Sequence, residues 1–234
     1  MRNIKHIFFD LDNTLWDTDR NSMLTLKQMY EDVKVEEIYN VNFQEFYDSY
    51  YQRNEHLWAL FRQDKVTKND ILSQRFKNTF EEFDIRDEVI RSYFDAHFLE
   101  KVVKHNTLID NTVEVLSYLK SKGYIMHIVS NGFIKPTERK VYDTPIKDYI
   151  TTITSGEEIN KRKPAREVFE LGLDKANANP EESSFIGDDF EADVLGSDNL
   201  GMLGIYFNYK KDSDLSKMNG FPVINNLIEL KQLF

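Results

Sequence analysis

Short apolar segments of this chain end abruptly in polar residues, and longer segments with helical spacing separate them. Residues 7–9 are apolar and lead directly into Asp10, which is typical of a buried strand in an α/β sheet. Further strands are predicted over the following segments: residues 124–129, 150–154, 184–187 and 203–207. Strands that alternate with helices predict a parallel sheet with right-handed crossovers.

Glycine and proline are distributed unevenly along the chain. All nine glycines and all five prolines lie at or after Gly123, so the preceding residues contain neither helix breaker. Residues 18–102 combine this property with apolar and aromatic residues at helical spacing, including Phe43, Phe46 and Tyr50. We therefore expect an α/β core domain formed by residues 1–17 and 103–234, interrupted by a helical domain at residues 18–102.

Composition limits the classes of partner. The net charge of −10 argues against a nucleic-acid polymer or an anionic membrane surface as the main partner. The absence of cysteine excludes disulfides and thiolate catalysis. The first residues lack the features of a signal peptide, and no apolar run is long enough to span a membrane. We expect a cytoplasmic protein; its oligomeric state is left open.

Two carboxylates follow the first predicted strand. Asp10 and Asp12 stand two residues apart, at the strand end where α/β sheets bind their ligands. Such close carboxylates repel each other, so a shared proton or a cation is expected nearby, and an oxygen-only site suits Mg²⁺. The alternative is a simple acidic turn, since aspartate is common in turns.

Two further strand ends carry groups that could hold an anion. Ser130 and Asn131, followed by a glycine, can present donors to an oxyanion, or they can form an ordinary turn. Lys163 precedes Pro164 at a predicted helix start, where a lysine is disfavoured unless an anion is bound. Lys163 is therefore a candidate phosphate ligand, and an exposed basic run is the alternative.

The fourth predicted strand also ends in carboxylates. Gly187 is followed by Asp188 and Asp189, and Asp193 comes four residues later. Glycine permits a close approach to the backbone at this point. An acidic loop that caps a helix is the alternative for Asp189 or Asp193.

The order of these motifs resembles the haloacid dehalogenase superfamily of phosphohydrolases. It comprises an aspartate pair, a serine, Lys-Pro and Gly-Asp-x(4)-Asp, and it extends over essentially the whole chain. The helical insert after the first strand is similar to that family's C1 cap. The resemblance implies a Rossmann-like parallel sheet core flanked by helices, with an inserted all-helical cap domain. Asn160 and Asp189 depart from residues common in relatives, without removing a required functional group.

The resemblance implies a phosphatase mechanism on particular residues. Asp10 would be the nucleophile that becomes an aspartyl-phosphate, and Asp12 the general acid and then the base for water. Ser130 and Lys163 would hold the phosphoryl oxygens, with Asn131 also assigned to substrate binding.

The resemblance also implies a cofactor. Mg²⁺ would be bound by the carboxylates of Asp10 and Asp188 and by the backbone carbonyl of Asp12. Asp189 and Asp193 would support the metal through water or through contacts with its ligands.

The choice of reaction within the family depends on Asp12. Family dehalogenases lack this second aspartate and need no metal, whereas phosphatases require it. Residues 53–58 resemble the cap of the pyrimidine 5′-nucleotidase branch, so we expect Mg²⁺-dependent hydrolysis of nucleoside 5′-monophosphates. Trp58 could stack on a base, although packing is the alternative for an aromatic residue in a helical domain. A phosphatase for a sugar phosphate or another small metabolite, a phosphomutase, and a non-catalytic ligand- or protein-binding module are the other hypotheses.

Overall fold

The α/β part of the chain is built on a parallel sheet. The computed structural model describes residues 3–211 and 214–234. Within them the sheet has six strands in the spatial order β3-β2-β1-β4-β5-β6, all paired in parallel. The strands are β1 (His6–Phe9), β2 (Ile125–Ser130), β3 (Ile150–Ser155), β4 (Ser183–Gly187), β5 (Leu203–Phe207) and β6 (Val223–Ile224). The predicted parallel sheet is confirmed, and β6 was missed because two residues show no periodicity.

The chain divides into two compact units. One is helical and comprises Asp19–His105, and the other contains the chain up to Thr18 and from Asn106. The first five helices are α1 (Thr18–Asp32), α2 (Val35–Tyr39), α3 (Phe43–Arg62), α4 (Lys68–Glu82) and α5 (Glu88–Val102). No helix among the described residues combines the length and the apolar character of a membrane span.

Helix ends in the helical unit are formed without glycine. Asn40, Asp64 and Asp84 adopt left-handed backbone conformations with φ of 54–55°, at positions that glycine usually occupies. The starts of α3, α4 and α5 are capped by side chains, as in the reciprocal hydrogen bonds between Thr67 and Asp70 at α4. The interior is filled by aromatic rings whose centroids lie 5.2–5.8 Å apart, namely Phe46, Phe76, Phe80 and Phe94.

Five more α-helices lie among the described residues of the α/β unit. They are α6 (Thr112–Ser121), α7 (Ile134–Tyr142), α8 (Arg166–Ala176), α9 (Gly196–Asp198) and α10 (Leu230–Leu233). Helix α8 begins two residues later than the predicted start at Pro164, because Ala165 has an extended ψ of 129° and closes a turn onto Arg162. The apolar face of α8, including Val168 and Phe169, packs on the central strands of the sheet.

The register of the central strands aligns their carboxyl ends. Phe9 of β1 pairs with Ile128 of β2 and with Ile186 of β4. The next residue, Asp10, remains attached to the sheet, since its backbone N–H donates to the carbonyl of Ile186 at 2.9 Å. The polar residues that follow all three strands therefore meet at one edge of the sheet.

Candidate active site

A buried lysine connects the polar strand ends. The side chain of Lys163 is 2 % exposed, and its Nζ donates to Asp10 Oδ1 at 2.6 Å and to the carbonyl oxygen of Val129 at 2.8 Å. Asp193 Oδ1 lies 2.8 Å from the same nitrogen, as an ion pair outside hydrogen-bond geometry. Lys163 is therefore not part of an exposed basic run; its ammonium is surrounded by three oxygens.

Three carboxylates around this lysine form a candidate metal centre. Asp10, Asp188 and Asp193 each place an oxygen within 4.8 Å of the others, with Asp10 and Asp193 buried and Asp188 half-buried. If all three are ionised, one ammonium leaves two negative charges unbalanced. A divalent cation would balance them, and carboxylate oxygens are the ligands that Mg²⁺ prefers.

The protonation of this cluster reflects the excess of acid. Burial raises the pKa of Asp10 to about 7, with Asp193 and Asp12 adding to the rise and Lys163 opposing it. Burial and the neighbouring Asp10 and Asp193 carboxylates raise the pKa of Asp188 well above its ordinary value. Burial alone would lower the pKa of Lys163, but the two carboxylates that contact it outweigh burial and raise it.

The loop after β4 is shaped around Asp193. A side chain on Gly187 would begin 2.1 Å from Asp193 Oδ2, so only glycine leaves room for this carboxylate. Thr14 Oγ1 donates to Asp188 Oδ1 at 3.3 Å. The side chain of Asp189 instead accepts from the backbone N–H of Ala192 at 2.9 Å and begins a π-helical turn. Asp189 thus caps a helical turn, which is the alternative that its sequence position offered. Its support of a metal stays a prediction.

Asp12 has different partners from Asp10. Its Oδ1 accepts a hydrogen bond from Thr18 Oγ1 at 2.5 Å and another from Lys140 Nζ on α7. Sequence reasoning did not identify Lys140 as a site residue. A signal was present, because Lys140 shares the buried face of α7 with Thr137 and Val141, where a charged residue is unexpected.

The loop after β2 contributes a hydroxyl group and a side-chain amide that holds a neighbouring segment. Ser130 is buried, and its Oγ accepts from the backbone N–H of Gly132 at 2.9 Å. The side-chain amide of Asn131 accepts from the backbone N–H of Lys163 at 2.7 Å and donates to its carbonyl at 3.1 Å. Asn131 therefore holds the segment that carries Lys163, and its contact with substrate stays a prediction.

Trp58 lies in the helical unit, on α3. Its ring is half-buried and packs edge-to-face on Phe61, with ring centroids 5.5 Å apart. This contact is the packing alternative for Trp58, and a role in substrate binding stays a prediction.

The fold and this arrangement of residues define a family. Residues 7–206 match the haloacid dehalogenase-like hydrolase family, and the chain belongs to that family. The predicted family is thereby confirmed.

Relatives within the family carry several activities in their names. The chain is 26 % identical to pyrimidine 5′-nucleotidase YjjG of Escherichia coli (strain K12), covering 97 % of this chain and 96 % of that protein. It is also 26 % identical to the glyceraldehyde 3-phosphate phosphatase of Methanothermobacter thermautotrophicus, covering 98 % of this chain and 99 % of the phosphatase.

Solved structures share the fold with this chain. The magnesium-bound HAD-hydrolase YfnB of Bacillus subtilis has a TM-score of 0.84 at 22 % identity and matches 99 % of this chain and 98 % of its own. A dehalogenase has a TM-score of 0.74 at 17 % identity, over 100 % of this chain and 98 % of its own. Fold alone therefore does not select the reaction, and the residues of the site must do so.

Proposed function

We propose that this chain is a Mg²⁺-dependent phosphomonoester hydrolase that acts through an aspartyl-phosphate intermediate on nucleoside 5′-monophosphates. The observation that carries the proposal is the separation of the two aspartates that follow β1. Asp10 is paired with Lys163 beside further carboxylates, whereas Asp12 is held by Thr18 and Lys140. The lysine and the carboxylates around Asp10 support roles in phosphate and metal binding, and the separate contacts of Asp12 support a role in proton transfer.

In the first step Asp10 acts as the nucleophile. One of its carboxylate oxygens attacks phosphorus while the bond from phosphorus to the ester oxygen breaks. The departing oxygen takes a proton from Asp12, so the alcohol leaves neutral. Lys163 and Ser130 hold the oxygens of the transferring phosphoryl group.

In the second step water replaces Asp10. The water oxygen attacks phosphorus, its proton passes to Asp12, and the bond between phosphorus and Asp10 breaks to release inorganic phosphate. Mg²⁺ held by Asp10, the carbonyl of Asp12 and Asp188 would reduce the repulsion between the anionic phosphate and the carboxylate nucleophile. Asp193 shares the cluster and contacts Lys163, which supports a role in orienting that lysine.

The proposed class of substrate rests on similarity to other proteins rather than on the geometry of the α/β unit. The relative named as a pyrimidine 5′-nucleotidase and the resemblance over residues 53–58 favour nucleotides. The relative named as a glyceraldehyde 3-phosphate phosphatase, at equal identity, makes a small sugar or triose phosphate the second candidate.

Turnover against a substrate panel tests both the reaction and the substrate. The panel contains nucleoside 5′-monophosphates, triose and sugar phosphates, and p-nitrophenyl phosphate, each with Mg²⁺ and after chelation. We expect phosphate release that requires Mg²⁺, with the highest kcat/KM for a nucleotide. Undiminished turnover after chelation would contradict the metal assignment, and a preference for triose phosphate would favour the second candidate.

Metal binding can be tested apart from turnover. Isothermal titration calorimetry with Mg²⁺ should detect a site in the wild type and lose it in Asp188→Asn. Glu191→Gln is the matched control, because Glu191 is an exposed carboxylate of the same loop. Equal Mg²⁺ affinity in Asp188→Asn and the wild type would exclude Asp188 as a ligand.

A substitution at Trp58 distinguishes a role in substrate recognition from a role in packing. If its ring contacts the base, Trp58→Ala should lower kcat/KM for the best nucleotide far more than for p-nitrophenyl phosphate. A ring that only packs on Phe61 would instead lower the melting temperature and reduce both activities together. Trp58→Phe keeps an aromatic face and is the conservative control.

A further inference from the structure

We propose that Lys140 is a positioning residue that fixes the carboxylate of Asp12 in its reactive orientation. This inference rests on the proposed role of Asp12 as proton donor and acceptor. Lys140 itself would contact neither phosphate nor metal, and it would act only through Asp12.

The ammonium of Lys140 is held on two sides. Its Nζ donates to Asp12 Oδ1 and lies 4.3 Å from the centre of the Trp16 ring. The side chain is 11 % exposed, and Trp16 is fully buried. An ammonium that is fixed by an aromatic face on one side and a carboxylate on the other has little freedom, so it can hold that carboxylate firmly.

The two oxygens of Asp12 have different surroundings. Thr18 and Lys140 both bind Oδ1. Oδ2 points toward the loop after β2, where it lies 3.3 Å from the position that a side chain on Gly132 would occupy. With Oδ1 anchored, rotation of the carboxylate is restricted, and Oδ2 is the oxygen presented to that loop.

The space over Gly132 is lined by oxygen atoms. The same position lies 3.1 Å from Ser130 Oγ and 2.8 Å from Thr137 Oγ1. Thr137 is buried, and its hydroxyl has no hydrogen-bond partner among the described residues. Glycine permits these three oxygens to converge on its backbone, so a substrate oxygen held by Ser130 would lie near Asp12 Oδ2.

This geometry predicts a specific kinetic effect of removing Lys140. When the bond from phosphorus to the ester oxygen breaks, the proton on Asp12 must pass to that oxygen. Proper orientation of the donor is worth most when the departing oxygen is strongly basic. Loss of Lys140 should therefore affect substrates according to the basicity of their leaving groups.

The test compares two aryl phosphates of similar shape. Phenolate, the leaving group of phenyl phosphate, has a basicity near that of tyrosinate, with a pKa of about 10. 4-Nitrophenolate is far less basic and needs little protonation. Lys140→Met keeps an unbranched side chain that is one atom shorter and removes the charge. It should lower kcat/KM for phenyl phosphate by about 10- to 100-fold, a part of the roughly 10²- to 10⁴-fold that general acid catalysis contributes, and for p-nitrophenyl phosphate by less than about 3-fold.

Matched variants identify the cause. Lys140→Arg should restore most of the activity, because it retains the positive charge. Lys231→Met is the control: Lys231 also pairs with a carboxylate and lies 5.5 Å from an aromatic ring centre, but outside the candidate site. It should match the wild type on both substrates. The affinity for vanadate, a phosphate mimic, should be the same in Lys140→Met and the wild type.

A double-mutant cycle shows whether Lys140 acts through Asp12. In the background of Asp12→Asn, the further change Lys140→Met should produce no additional loss for phenyl phosphate. An equal fractional loss in both backgrounds would overturn the inference, as would equal losses for the two leaving groups or a large loss of vanadate affinity. The proposed function fails separately, if the wild type hydrolyses neither ester with Mg²⁺ or if Asp12→Asn is fully active.

Discussion

Each of the two units contains a cation that is no more than 2 % exposed, and these two cations are stabilised differently. Lys163 of the α/β unit contacts two carboxylates and a backbone carbonyl. Arg75 of the helical unit is 2 % exposed, lies 4.6 Å from the ring centre of Phe98 and interacts with Tyr50. Its Nε and Nη2 have no hydrogen-bond partner among the described residues.

The opposite pKa shifts of the two cations follow from these partners. Burial lowers the pKa of Arg75, and Tyr50 and Asp95 do not fully offset it. Burial also acts against the charge of Lys163, but Asp10 and Asp193 overcome it. Buried charge is expensive unless it is paired. The α/β unit therefore stabilises its buried Lys163 by pairing it with carboxylates. The helical unit instead places Arg75 against aromatic rings.

The largest expected effect is a loss of catalysis. A substitution at Asp10 tests whether the carboxylate paired with Lys163 is the nucleophile. Asp10→Asn keeps the shape of the side chain but removes a nucleophilic oxygen, so turnover should fall on the order of 10³-fold or more. Asp95→Asn is the matched change beside Arg75 and should retain turnover. Both variants are assayed for phosphate release after purification free of other phosphatases. An active Asp10→Asn enzyme would contradict the proposed mechanism.

The next effect concerns stability. Lys163→Met leaves Asp10 and Asp193 buried without their cation, which should lower the unfolding free energy by about 3 kcal/mol and abolish turnover. Lys175→Met breaks a partly exposed pair with Glu158 on the same unit and should cost less than about 1 kcal/mol. Denaturant unfolding of both variants provides the measurement. Equal stabilities would show that the contacts of Lys163 contribute little to folding.

Another buried titratable group, His127, contacts a second histidine instead of a carboxylate in the part of the chain that the structure describes. His127 is fully buried, stacks on Phe8 and contacts His6. Burial, followed by the charge of His6, lowers the pKa of His127 from 6.5 to about 4. The unfolded chain binds this proton more readily, so stability is lost as the pH falls from 6.5 toward 4. The loss should reach about 3 kcal/mol at the acid end of that range.

Comparing the pH dependence of variants isolates this contribution. His127→Gln should flatten the decline in melting temperature between pH 6.5 and 4 relative to the wild type. His56→Gln changes an exposed histidine of α3 and should leave the decline unchanged. An identical decline in His127→Gln and the wild type would assign the acid sensitivity to other groups.

The smallest expected effect would sharpen the contrast between the two cations. Arg75→Met replaces a cation with few hydrogen-bond partners by an apolar side chain that can fill the same aromatic environment. The unfolding free energy should change by less than about 1 kcal/mol, in either direction. Denaturant unfolding measures it, with Arg75→Ala as a control that also creates a cavity. A loss as large as that of Lys163→Met would show that Arg75 has a strong partner after all.

Much of the architecture was predictable because it depends on neighbouring residues. Apolar segments that end in Asp10, Ser130 and Asp188 predict strands whose polar ends share an edge, and the parallel sheet has that form. The lack of glycine and proline before Gly123 likewise favoured the helices found there. Local patterns were less informative at boundaries: α8 begins at Arg166, and the two-residue β6 had no pattern to detect.

The pairing of charges was decided only by the tertiary structure. Lys163 and Asp10 are 153 positions apart, and Lys140 and Asp12 are 128 apart, so no local periodicity links them. The sequence by itself determined which chemical groups stand at the strand ends. The folded chain determined that Asp193 joins Asp10 on Lys163 while a different lysine binds Asp12, because strand register and helix packing set those distances.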